Sequence, residues 1–107
     1  MKAKINLFGK SYMVDVKTNK YQNGGLAVQL FDSETHETFA TISVNLPESQ
    51  DIPKDAFYVK HWSENEPIIA QLIQQNIIEL AKDCEPASSG FVSGIYAYRL
   101  VGKNTNN

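Results

Sequence analysis

The chain has 107 residues, 42% hydrophobic and 21% charged, with a net charge of −2 and one cysteine. These figures describe one ordinary globular domain, exclude an internal disulfide, and fit a reducing cytoplasm. A domain this small buries about 60 to 70% of its unfolded surface, which leaves little material for a deep catalytic cleft.

In chain order, Ile5 and Leu7, then Tyr12, Val14 and Val16, then Leu26, Val28 and Leu30, then Ala40, Ile42, Val44 and Leu46 recur with period two. That is the pattern of four strands, each with one buried face. Gly9 and Lys10 separate the first two as a tight turn. Asn23, Gly24 and Gly25 separate the second and third, and Asn-Gly points to a type I′ turn, whose two central residues both need φ > 0. Asp32 to Glu37 (DSETHE) joins the third and fourth with turn-forming side chains. Pro47 and Pro53 then break the pattern, so NLPESQDIPKD is a loop, and AFYVKHW supplies a fifth strand from Ala56 to about His61.

The spacing predicts one helix, Glu64 to Lys82, with Ser63 and Glu66 placed as a capping box and Pro67 in the first turn. Ile69, Leu72, Ile73, Ile77, Leu80 and Cys84 form its apolar stripe, so Ile73→Asp is expected to unfold the domain. Pro86 opens a link of small residues. FVSGIYAYRLV reads as a sixth strand bent at Gly94, and residues 103–107 read as a disordered tail. The predicted fold class is α+β, in a single domain over residues 1–102. It is an antiparallel meander sheet of five or six strands with one amphipathic helix packed across one face.

Chemistry-bearing residues are sparse. His36, His61 and Cys84 have no metal-ligand spacing, so no metal and no cofactor are expected. His36 reads as a solvated loop residue and His61 as a strand-end ring that packs. Cys84 falls at the predicted helix C-terminus beside Asp83 and Glu85, where macrodipole and carboxylates disfavour a thiolate. SSGFVSG has neither the order of a nucleophile elbow nor that of a phosphate loop. No catalytic residue is predicted, and the chain reads as non-enzymatic.

Binding clues are stronger. Residues 1–31 carry five lysines against Asp15, whereas residues 32–85 are acidic by eight charges. Lys4, Lys10, Lys17 and Lys20, with Tyr12 and Tyr21 to stack on bases, make a nucleic-acid-binding hairpin the alternative reading. One arginine, a pI near 5.6 and the use of lysine to block sheet edges count against it. Two apolar residues are out of place. Ile78 falls on the polar side of the predicted helix, among Gln71, Gln75 and Lys82, and Trp62 sits at the strand-to-helix junction between His61 and the acidic Glu64. Exposed aromatic and branched side chains anchor many interfaces, so Trp62, Ile78, His61 and Glu64 are the candidate contact residues. A protein partner is the expectation, and an open edge strand also allows a homodimer. No run of about 20 apolar residues predicts a membrane span, and the first residues show no secretion signal, so a cytoplasmic location is expected.

YQNGGLAVQL, TFATISVNLP and SGFVSGIYAYRL together resemble the pattern of an uncharacterised family, a domain of unknown function, of short proteins on bacterial plasmids, phages and other mobile elements. The resemblance runs in order along nearly the whole chain. It departs at VKHWSEN (Val59 to Asn65) and at Gly25, which is inserted. It brings no catalytic residues. What it implies is a setting only, an accessory protein of a mobile element; the expected function is a protein-interaction module, with counter-defence inhibition as its sharpest version.

Overall fold

Alternating residues at the start of the chain build a meander. In a computed structural model describing residues 1–46, 52–89 and 92–101, β1 (Lys2–Leu7), β2 (Lys10–Lys20), β3 (Leu26–Asp32) and β4 (Thr38–Thr41) form one antiparallel sheet in that order. Ile5 lies opposite Tyr12, Ala3 opposite Val14, and Val16 opposite Leu30, so the alternating set shares one face. Residues 47–51, in the predicted proline-flanked loop, and the predicted tail 103–107 lie outside the described residues.

Of the three turns, the Asp32 turn alone has both the place and the chemistry expected of it. The first hairpin turns at Phe8 and Gly9, with φ of 52° and 80°, because Leu7 already pairs with Lys10. Positive φ at both central residues is the type I′ signature, so that turn occurs here and not at Asn23-Gly24. There the Gly24 N–H donates to the Tyr21 carbonyl at 2.9 Å and Gly24 alone is left-handed, with φ of 91°, which gives a three-residue loop. In the third turn Asp32 Oδ1 accepts the N–H groups of Glu34 (2.8 Å) and Thr35 (3.0 Å), as its turn-forming sequence predicts.

The fourth alternating run is not one strand. It leaves the first sheet at Ile42, whose N–H donates to the Val28 carbonyl (3.1 Å) and whose own carbonyl accepts from Lys60 N–H (2.8 Å). Its continuation, β5 (Ser43–Val44), begins a second antiparallel sheet. That sheet also holds β6 (Ala56–Val59), β7 (Ile78–Leu80) and β10 (Ala97–Leu100), in the order β5-β6-β10-β7. A separate hairpin pairs β8 (Ala87–Ser89) with β9 (Val92–Ile95). The predicted sixth strand is thus two strands broken at Tyr96, and the small-residue link before it is β8. Gly94 has φ of 67° beside the break.

Two sheets replace the single predicted one because the second is covered on both faces. Phe57, Val59 and Ile78 share a core with Ile5, Val14, Leu30 and the helix. Ala56, Tyr58 and Ala97 pack the other way, against Ile95, Ala81 and Leu46. A strand buried on both sides reads as an unbroken apolar run, which is what Ala56 to Val59 is.

The helix is much shorter than predicted. A 3₁₀ turn, Ser63–Asn65, leads into α1 (Glu66–Gln74). Trp62 holds the first N-cap position and Ser63 is left-handed at φ 59°, so the Ser63–Glu66 capping box does not form. Asn65, 1% exposed, instead donates from Nδ2 to the Thr41 carbonyl (2.8 Å), tying the helix start to β4. Pro67 stays in the first turn, where its missing N–H costs nothing. At the other end Asn76 adopts φ 59°, its N–H donates to the Ile73 carbonyl (3.0 Å), and the Ile77 N–H donates to the Leu72 carbonyl (2.9 Å). That pair of bonds is a Schellman stop, and asparagine is second only to glycine in tolerating its left-handed residue. Beyond it the chain extends as β7.

Ile78 therefore lies in a strand and is 1% exposed, not on the polar side of a helix. Of the predicted stripe Ile69, Leu72 and Ile77 are buried, joined by Ile68, whereas Ile73 and Leu80 are 40% and 42% exposed. Gln71 and Gln75, assigned to the wet side, meet β1. Asn6 N–H donates to Gln71 Oε1 (2.7 Å) while Gln71 Nε2 donates to the Asn6 carbonyl (2.9 Å). Lys4 N–H donates to Gln75 Oε1 (3.0 Å) while Gln75 Nε2 donates to the Lys4 carbonyl (2.6 Å). Two glutamines one helical turn apart thus supply what a neighbouring strand would, and the edge of β1 is closed at Lys4 and Asn6. Among the described residues no helix is long and apolar enough to cross a membrane.

Candidate functional site

The hairpin tip, β4 and the start of α1 enclose an apolar groove of about 390 Å³. Leu7, Phe8, Phe39, Ala40, Pro67 and Ile68 form its walls, with Ser63 and Glu64 at the rim. Leu7 is brought there by the inward phase of β1. Phe39 is brought by the irregularity in the β3–β4 register and packs on Tyr12 at 5.2 Å between ring centroids. Lys10 Nζ lies 5.8 Å over the Tyr12 ring.

Phe8 is the unusual member. Its side chain is fully exposed, and its backbone is left-handed at a turn position suited to Asn, Asp or Gly. A non-glycine residue in that conformation costs about 1 to 2 kcal/mol, and the ring recovers none of it by burial. Sequence reasoning passed over Phe8 because it placed the turn one residue late. The signal was present: with Ile5 and Leu7 inward, Phe8 is out of phase and directly precedes glycine.

The candidate contact residues do not form one patch. Glu64 lies on the groove rim and among the described residues pairs only with Lys60, at 3.9 Å. Trp62 is half-buried against the second core cluster, and His61 stands edge-on to it at 5.3 Å. His61 Nε2 is buried without a hydrogen-bond partner among the described residues. Ile78 is inside the core. The lysines are split as well. Lys4 and Lys17 lie on the outer face of the first sheet, in phase with Met13, whereas Lys10 and Lys20 lie in phase with the core face at opposite ends of β2. Ten residues of strand put those last two roughly 33 Å apart.

A second hollow, of about 290 Å³, lies between the Tyr21–Leu26 turn and Ile52 to Tyr58. Near it the Tyr21 hydroxyl lies 2.8 Å from Ser43 Oγ, which accepts the Val28 N–H at 2.9 Å, so both groups are occupied in holding the two sheets together. Arg99 is likewise engaged: it donates twice to Asp83 (2.8 and 3.1 Å) and once to Asp55 (3.0 Å). The guanidinium holds the Asp83 carboxyl below the usual carboxylate range. Cys84 sits in the turn after β7, where burial first and Asp83 second push its thiol up. Its expected inertness thus has a different setting from the predicted helix end, but the same adverse carboxylate. Among the described residues no three metal-ligating side chains cluster. No family model, no curated protein and no solved structure matches this chain.

Proposed function

We propose that this chain is a non-enzymatic protein-interaction module whose contact surface is the groove headed by Phe8. The observation that carries the reading is Phe8 itself, a fully exposed aromatic ring held on a backbone conformation that disfavours it. Covering such a ring stabilises a complex by about 1.5 to 3 kcal/mol. The groove behind it offers apolar walls, and Glu64 at the rim supplies a charge that orients what enters. In the mobile-element setting that the sequence resemblance implies, the chain is an accessory protein whose Phe8 groove takes a protein surface.

The test is Phe8→Asn, which suits the left-handed turn. It is expected to raise thermal stability, by about 1 kcal/mol, and to remove partner capture by the immobilised protein. A variant that melts lower than the parent would make Phe8 a structural residue, and an unchanged capture profile would place the contact elsewhere.

A further inference from the structure

The hairpin tip carries a protrusion and a recess side by side. Phe8 projects at the lip of the groove walled by Leu7, Phe39, Pro67 and Ile68. A two-fold interface requires this arrangement, since each copy must offer both the knob and the hole. The charges around the lip are divided in the same way. The hairpin side carries Lys10, which lies over Tyr12 and forms no ion pair among the described residues. The helix side carries Glu64, which Lys60 approaches at 3.9 Å, and the exposed Glu66. The edge of β1, beside the same hairpin, is closed to strand pairing at Lys4 and Asn6 by Gln71 and Gln75.

We infer that the occupant of this groove is a second copy of the chain, related by a two-fold axis at the lip, with each Phe8 in the other's groove and each Lys10 facing the other's Glu64 and Glu66. This rests on the reading of the Phe8 surface as an interface and names its partner. The rotation exchanges the basic and acidic sides, so like charges are not brought together. A closed two-fold pair stops at two copies, and the small groove makes it a weak, concentration-dependent dimer.

Sedimentation equilibrium from about 10 µM to about 1 mM protein, covering the range expected of a small interface, tests this. The parent is expected to pass from monomer to dimer and no further, and Phe8→Asn to weaken the dimer at least about tenfold. Lys10→Glu and Glu64→Lys should each weaken it alone, because each sets like charges face to face. Mixed together, the two variants should pair with each other more tightly than either pairs with itself, because each charge at position 10 then meets an opposite charge at position 64, with Glu66 of one copy the single like charge left. A parent that stays monomeric at the top concentration overturns the inference, as does a dimer indifferent to Phe8→Asn or a mixture no tighter than the single variants. A monomeric parent whose capture of another protein still depends on Phe8 would overturn the second copy alone. Lower stability of Phe8→Asn at concentrations where the parent is monomeric would overturn the interface itself.

Discussion

Replacing Gln71 and Gln75 together by alanine removes the device that closes β1 without disturbing the helix, since alanine is the better helix former. Four hydrogen bonds to β1, of 2.6 to 3.0 Å, disappear, with a weaker one from Gln71 to the Pro67 carbonyl at 3.2 Å. At about 0.5 to 1.5 kcal/mol each the four to β1 amount to roughly 2 to 6 kcal/mol gross. The lower end applies, because Gln75 is exposed, Gln71 is half-buried, and water can take over the freed groups of Lys4 and Asn6. A propensity gain of a few tenths of a kcal/mol per alanine offsets part of this, leaving a loss of about 1.5 kcal/mol. For a domain of this size that is a drop of about 6 to 12 °C in melting temperature. Amide hydrogen exchange gives the residue-level readout: Lys4 and Asn6 should exchange faster relative to the other β1 amides. The double glutamate variant should lose more than the alanines, because a carboxylate keeps the acceptor but turns an anionic oxygen towards each strand carbonyl. If Lys4 and Asn6 exchange as in the parent, the glutamines do not act as a strand substitute and the reasoning fails.

Other consequences follow from the same geometry. Ile73→Asp should leave a cooperatively folding protein weakened by about 1 to 2 kcal/mol, since Ile73 is 40% exposed, whereas Ile78→Asp should abolish the urea transition. Asn76→Gly should be neutral or stabilising, and Asn76→Val should cost about 1 to 2 kcal/mol, both read from urea midpoints. Asp83, Asp15 and Asp32 all have carboxyls lowered in the fold, by Arg99, by Lys2 and by the Thr35 and Glu34 amides respectively. Their stabilisation is present above the unfolded carboxylate range, near pH 4, and is lost as pH falls through the lowered folded values, so urea midpoints should decline only below about pH 4. Arg99→Leu should flatten part of that decline. Cys84 should react with iodoacetamide more slowly at pH 7 than a free thiol, and rapid selective alkylation would contradict the raised thiol.

The sequence by itself determined the alternation of β1 to β3, the start of β4 and the Asp32 turn, but not the place of the first turn or the geometry at Asn23-Gly24. Period-two alternation and the Asp32 turn act between near neighbours, and nothing distant has to be known. It also located the helix start to within a few residues, through Pro67 and the isoleucines behind it. The extent of the helix was decided by tertiary packing. From Ile77 to Leu80 the residues satisfy a helical stripe as well as a strand, and β10 supplies the pairing that draws them into a sheet, with Asn76 as the hinge. The same ambiguity moved Ile78 from surface to core and turned Gln71 and Gln75 from solvent to β1. A one-residue difference in the first turn separated a strand residue from the exposed Phe8, because every side chain in a strand changes face with each step of register. The split at Ile42 and the burial of Phe57 and Tyr58 on opposite faces of the second sheet likewise came from the fold. An apolar pattern records that a face is covered, but only three-dimensional assembly decides what covers it.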